Sequence, residues 1–173
     1  DLLARTDQYD LPLQDNTVLL ERERAQRRTG RAPQFAKSIP VYIKCQEYGT
    51  WSYPGKDMAV WRLIIPSPGA HSLNIGFTDF RLPAGAQLRV QSANGEQGTG
   101  PLTMADNDLH GTYWTPALET DTLFLELQVP REKINETLLT IGYVNHAYDP
   151  NSTFNKIGNF FIGAGPIIFG AIV

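Results

Sequence analysis

The feature that most constrains the fold is a change of hydrophobic period at residue 39. From there to residue 144, six short segments alternate apolar and polar side chains or run apolar, as strands of antiparallel sheets do. Proline, glycine and asparagine separate these segments, for example at residues 66–69, 82–85 and 93–95. The predicted strands are residues 39–44, 59–65, 72–77, 86–92, 123–129 and 138–144. This pattern predicts an all-β fold, a jelly-roll-like antiparallel β-sandwich.

Composition agrees with this fold class and excludes several functions. The 173 residues include 15 glycines and 12 prolines, too many for a helical bundle. A net charge of −3 gives no general attraction to nucleic acid or to an anionic membrane, so neither is expected as a partner. The single cysteine, Cys45, excludes an internal disulfide and a cysteine-rich zinc site. We expect Cys45 to be a small core residue.

One short N-terminal helix precedes the strands, at residues 16–28. Asp15, Asn16 or Thr17 can cap its start, and Gly30 can end it in the left-handed conformation. Two interpretations stay open. Either the basic side chains dock on a partner, or the helix is solvated and held by the apolar residues 18–20. The basic candidates are Arg24, Arg27 and Arg28.

The chain is expected to divide into three parts. Residues 1–37 form a loosely held lead-in and the helix, residues 38–150 the sandwich, and residues 151–173 an apolar C-terminal tail. Residues 160–173 carry no charged side chain, but glycine and proline interrupt them and they are too short to cross a bilayer. No membrane span is therefore predicted. The tail either supplies the final strands of the sandwich or continues into another structure.

Hydrolase signatures are missing from the sequence. There is no G-D-S-G-G or G-x-S-x-G, so no serine is seen on a turn built to expose a nucleophile. The three histidines match no triad or H-E-x-x-H spacing; they are His71, His110 and His146. We therefore predict a chain with no catalytic residues and no cofactor.

The densest polar cluster is residues 106–111. Asp106 and Asp108 are weak candidates for Ca²⁺ ligands, because two carboxylates followed by a glycine turn supply hard oxygen atoms. The match to a calcium-binding helix–loop–helix fails twice, at His110 in the fifth position and at Ala117 in the twelfth. Aspartate and asparagine also favour tight turns for purely structural reasons.

Aromatic residues give a second possible binding function. Exposed rings on a sandwich form carbohydrate platforms, although such rings more often pack in the core. The candidates are Trp51, Tyr53, Tyr113 and Trp114. The alternative function is therefore a stand-alone secreted module that binds carbohydrate or Ca²⁺.

Glu23 and the ordered blocks that follow it, from residue 28 to residue 130, resemble a known family. The blocks are R-x-G-x-x-x-Q-F-A-x-x-I-P-V at 28–41, W-R-L-x-I at 61–65, S-P-G-A-x-S-L-N-x-G-F at 67–77, L-P-A-G-A at 82–86, G-P-L-T-x-x-D-N at 100–107, H-G-x-x-W-T-P at 110–116 and E-L-x-V-P at 126–130. This pattern is similar to the N-terminal pro-region of secreted bacterial lysyl endopeptidases and related trypsin-like serine proteases.

The resemblance implies a non-catalytic β-sandwich that precedes a protease domain in a secreted precursor, where it inhibits the protease and helps it fold. No catalytic residue of the family can be placed on this chain. We expect five side chains in the core, namely Trp61, Leu63, Leu73, Phe77 and Trp114. Because loops and exposed helices carry contacts on a rigid scaffold, the candidate protease-contact residues are Arg24, Arg27, Arg28, Asp106 and His110.

Overall fold

The computed structural model describes residues 5–150, and the predicted tail lies outside these residues. One α-helix, α1 (Asn16–Arg27), precedes nine strands. The strands are β1 (Ala36–Lys44), β2 (Thr50–Ser52), β3 (Met58–Pro66), β4 (Ser72–Arg81), β5 (Gln87–Ser92), β6 (Gly98–Leu102), β7 (Tyr113–Trp114), β8 (Thr122–Pro130) and β9 (Leu138–Ala147). The six predicted strands are all present. The three that the sequence did not reveal, β2, β6 and β7, are two to five residues long.

The strands form two antiparallel sheets that pack face to face. One sheet has the order β1-β9-β4-β7 and the other the order β2-β3-β8-β5-β6. Each sheet combines strands from both halves of the chain, as the two interleaved Greek keys of a jelly roll require. The prediction of an all-β sandwich with one short helix is confirmed.

Alternation along the strands places the core between the sheets. In β8, Leu123, Leu125, Leu127 and Val129 are fully buried, whereas Glu126 lies on the opposite face. There its carboxylate accepts a hydrogen bond of 2.8 Å from Arg62 on β3. Four of the five predicted core side chains are buried, namely Trp61, Leu63, Leu73 and Phe77.

Trp114 departs from the prediction of a core position. It is partly buried on the outer face of the first sheet, where its ring stacks on Tyr143 with the centroids 5.8 Å apart. Trp114 pairs with Gly76 in the sheet, and a Cβ at Gly76 would overlap the indole. A glycine on the neighbouring strand therefore makes room for this tryptophan outside the core.

The start of the chain is held more closely than a loose lead-in. Gln8 bridges in parallel to Ile64, and the Tyr9 amide donates to the Ile64 carbonyl at 2.8 Å. Leu11 is buried in the core cluster. These residues extend the pairing along the edge of β3, a contact between residues far apart in sequence that local patterns do not reveal.

The helix begins at Asp15, whose carboxylate accepts from the amides of Thr17 and Val18, and Gly30 lies at φ +79° after its end. Of the apolar residues 18–20, Leu19 and Leu20 are partly buried. Val18 is 48% exposed, and the buried residue of α1 is Glu23, which forms an ion pair with Arg27. No helix among residues 5–150 is long and apolar enough to cross a membrane.

The sandwich has two distinct ends. We call the first the helix end; it comprises α1, residues 67–71 and residues 146–148, and there Ser72 pairs with Ala147. We call the other the loop end; it comprises residues 53–57, 82–85, 103–111 and 131–136. Strand pairing places these segments together, because Met58 pairs with Pro130 and Arg81 with Leu138. The ten residues of β4 separate the two ends by roughly 30 Å.

Candidate functional site

The polar loop at residues 103–111 is fixed to the sandwich by hydrogen bonds. The Asn107 side chain binds the backbone of Leu82 twice, as acceptor from its amide and as donor to its carbonyl, both at 2.9 Å. The Gly111 carbonyl accepts from the Phe80 amide at 2.6 Å. Within the loop, Asp106 and Thr103 form a reciprocal capping box around a 3₁₀ turn. The sequence predicted a functional loop here, and the geometry shows that it is rigidly attached.

The carboxylates of this loop already have local hydrogen-bond partners. Asp106 accepts from the Thr103 amide at 2.7 Å, and Asp108 accepts from the Thr112 amide at 3.3 Å. Within residues 5–150, no three side chains of the His, Cys, Asp and Glu types are grouped to hold a metal ion. Both aspartates therefore act as turn-forming residues, because each carboxylate accepts a hydrogen bond from a nearby backbone amide.

The tip of the loop presents apolar surface. Leu109 is 100% exposed, and Met104 is also exposed. Tyr53 of the loop end and Leu138, the first residue of β9 beside it, are two more exposed apolar side chains. A fixed loop that holds a leucine in water is typical of a contact surface, because burial against a partner would remove that area from water. The sequence predicts Asp106 and His110 of this loop as contact residues but does not single out Leu109.

A second loop of the loop end joins β2 to β3 at residues 53–57. The Arg131 amide donates to the Asp57 carbonyl at 2.9 Å, and the Arg131 guanidinium lies 4.7 Å from the centre of the Tyr53 ring. Gly55 adopts φ +90°, a conformation that favours glycine. The side chain of Lys56 is exposed beside it. The Pro54–Gly55 turn was the sequence signal that could have revealed this loop.

The helix end contains a hydrogen-bond chain around buried His146 that sequence spacing did not show. Asn16 of α1 donates through Nδ2 to the Gly69 carbonyl at 2.7 Å, so its Oδ1 faces His146 Nε2 at 2.8 Å. Because Oδ1 only accepts, Nε2 carries the proton and Nδ1 accepts from Ser67 Oγ at 2.7 Å. This chain connects α1 to the ends of β3 and β9.

This environment favours a neutral His146. Burial lowers the pKa of His146 to about 4, and the nearby positive charge of His71 contributes in the same direction. Ser, His and Asn are residue types of hydrolase sites, but Ser67 is 2% exposed and bonds the imidazole at Nδ1. A serine so enclosed is not placed to attack a substrate, and the three residues form a structural connection.

The basic residues of α1 lie at the helix end, far from the polar loop. Arg27 pairs with Glu23, and its guanidinium lies 6.0 Å from the centre of the Phe35 ring. Arg24 and Arg28 are exposed. The structure therefore divides the predicted contact residues into two groups, and a partner that contacts both must extend along roughly 30 Å of the sandwich.

The four aromatic carbohydrate candidates do not form one platform. Trp51 and Tyr53 lie at β2 in one sheet, whereas Tyr113 and Trp114 form β7 in the other. Trp51 Nε1 donates to the Cys45 carbonyl, and Tyr113 stacks on Phe80 with the ring centroids 4.8 Å apart. The rings of Tyr113 and Trp114 therefore stack on other rings of the domain.

Cys45 is buried, as the sequence predicts, and burial raises the pKa of its thiol to about 12.

The family comparison agrees with this arrangement. A model of the lysyl endopeptidase N-terminal domain matches residues 21–147, from the middle of α1 to the last residue of β9. The match includes residues 53–57 and 103–111 of the loop end, and Ser67 and His146 of the helix end. It covers well over half of the chain, in the same region where the ordered sequence blocks lie. The chain belongs to the lysyl endopeptidase N-terminal domain family, and it is similar to the N-terminal pro-region of a lysyl endopeptidase precursor.

Proposed function

We propose that this domain is the non-catalytic pro-region of a secreted trypsin-like serine endopeptidase, and that it inhibits the protease and helps it fold. The membership in the lysyl endopeptidase N-terminal domain family supports a linked protease domain. The buried Ser67 and the locally bonded aspartates support a role in binding over one in catalysis.

The observation that carries the proposal is the anchored loop at residues 103–111 with Leu109 at its tip. Its side-chain and backbone hydrogen bonds fix the loop before any partner arrives, so binding costs little conformational entropy. The exposed apolar side chains of the loop end supply area that a partner can bury. We therefore place the main protease contact, including Asp106 and His110, at the loop end.

Both proposed activities follow from one binding event. A partner that binds only the folded protease stabilises it by mass action. This assistance is valuable for a β-rich protease, because non-local strand pairing makes such domains fold slowly. A domain that covers the active-site cleft also keeps the precursor inactive. Contact through Arg24, Arg27 and Arg28 of α1 stays a prediction, which requires the protease to reach the helix end as well.

The experiment is refolding of the denatured linked protease domain with and without this chain added in trans. We expect the recovered activity, measured after the chain is digested away, to rise with the chain concentration and to saturate near one equivalent. Leu109→Asp should reduce the gain, whereas the matched control Leu13→Asp, at an exposed leucine outside the loop end, should not. If the recovered protease activity stays the same when the folded chain is added, the folding role is contradicted.

A further inference from the structure

We propose that Lys56, in the loop at residues 53–57, occupies the lysine-recognition pocket of the linked protease in the manner of a substrate side chain. This inference rests on the proposed function and names the residue that blocks the protease. The family description is that of a lysyl endopeptidase, an enzyme that acts at lysyl residues. A pro-region that covers its active site would fill the most specific pocket there with the side chain that the pocket accepts.

Lys56 differs from the other lysines among residues 5–150. Lys37 lies on β1, where its backbone pairs with β9. Lys44 forms an ion pair with Glu47, and Lys133 lies in a 3₁₀ turn with its Nζ 3.4 Å from the Ala84 carbonyl. The backbones of these three lysines are thus part of a strand or of a 3₁₀ turn, and none of the three lies on a loop that projects from the sandwich.

Lys56 is placed differently, on an exposed loop. It lies between strands, outside the sheet pairing, in a loop that projects from the loop end. The ion pairs within the described residues involve other side chains, so the Lys56 ammonium is available to a carboxylate of a partner. Its burial in a complementary pocket would replace water with a charge-assisted hydrogen bond.

The anchoring of the loop favours inhibition over turnover. Arg131 holds both sides of Lys56, through the Tyr53 ring on one side and the Asp57 carbonyl on the other. The Gly55 turn and the flanking strands β2 and β3 fix the loop further. A segment held on both sides presents its side chain at a small entropic cost and does not adjust easily to the geometry of peptide-bond cleavage.

The test measures the inhibition constant of the full chain against the folded linked protease, with a small lysyl amide as substrate. Lys56→Met removes the charge and keeps the length of the side chain. We expect it to raise the inhibition constant about 30-fold or more, as loss of a central anchor does. The matched control Lys37→Met removes a lysine at the helix end and should leave the constant within about twofold.

Three results would overturn the inference. The first is inhibition by Lys56→Met equal to that of the wild-type chain. The second is rapid cleavage after Lys56 with loss of inhibition, since the loop would then be a substrate. The third is no inhibition by the wild-type chain. In the first two cases, a chain that still raises the refolding yield of the protease shows that the pro-region function stands without this contact. In the third case, a raised refolding yield shows that only the folding role stands.

Discussion

Protonation of His146 should make the domain less stable in mild acid. The folded protein lowers the pKa of His146 from 6.5 to about 4, because burial disfavours the charged imidazolium and His71 adds repulsion. Between these two values the unfolded chain binds one more proton than the folded chain. The stabilising contribution of neutral His146 is therefore fully present above pH 6.5 and is lost as the pH falls toward 4.

The size of this effect follows from the pKa difference. At about 1.4 kcal/mol per pKa unit, the shift corresponds to roughly 3 kcal/mol of unfolding free energy, of which about 2 kcal/mol is gone by about pH 4.5. The physical reason is burial: His146 is fully buried, so a charged imidazolium there would lose its hydration, and nearby His71 adds repulsion.

Urea unfolding, followed through tryptophan fluorescence to which buried Trp61 contributes, measures this dependence. Carboxylates also titrate in this range, so the informative quantity is the difference between wild type and His146→Gln. We expect wild type to lose about 2 kcal/mol more than His146→Gln between about pH 7 and about pH 4.5. His110→Gln is the control, because that exposed imidazole lies at the loop end.

Direct titration makes the test independent of the variant's folding. The imidazole proton resonances of His146 in the wild-type chain should titrate near pH 4. A midpoint near 6.5, or equal pH dependence in wild type and His146→Gln, would refute the argument that burial and repulsion from His71 keep this histidine neutral.

Three further substitutions test the packing, each by the unfolding free energy from urea titration. Gly76→Ala should lower it by about 1–3 kcal/mol, because the new methyl group overlaps the Trp114 ring; an unchanged value would contradict this packing. Asn107→Ala should lower it by about 1–3 kcal/mol, since both hydrogen bonds to Leu82 are lost; faster amide exchange at residues 103–111 should accompany the loss. Asn145→Leu should raise it by about 1 kcal/mol, because neither amide atom of buried Asn145 has a hydrogen-bond partner within residues 5–150; destabilisation would show that the amide is bonded.

The sandwich could be predicted because its long strands carry their own signal. In β8 the alternation of leucine with polar residues fixes both the strand and the buried face, and the Asp15 cap and Gly30 mark the helix. The strands β2, β6 and β7 are too short to show a period, and their pairing depends on partners distant in sequence. Leu11 also packs against residues distant in sequence, so the sequence predicts only a loose segment at its position.

The candidate site was predictable only in part. The cluster of Asp and Asn in residues 106–108 marks a functional or turn-forming loop, but sequence does not show that Asn107 fixes the loop to Leu82. The His146 connection joins three residues from distant positions, and neither its spacing nor its residue types indicate contact. Exposure at the tip of a loop, as at Leu109, becomes visible only in three dimensions.

The central claim is that this domain binds its linked protease through the loop end. Amide hydrogen exchange of the full chain, alone and saturated with the folded protease domain, tests this most directly. We predict slower exchange in residues 53–57 and 103–111 of the complex, with Leu109 inside the protected segment. Protection confined to the helix end, at residues 16–27, or no change anywhere in a mixture at saturating concentration, would contradict the account.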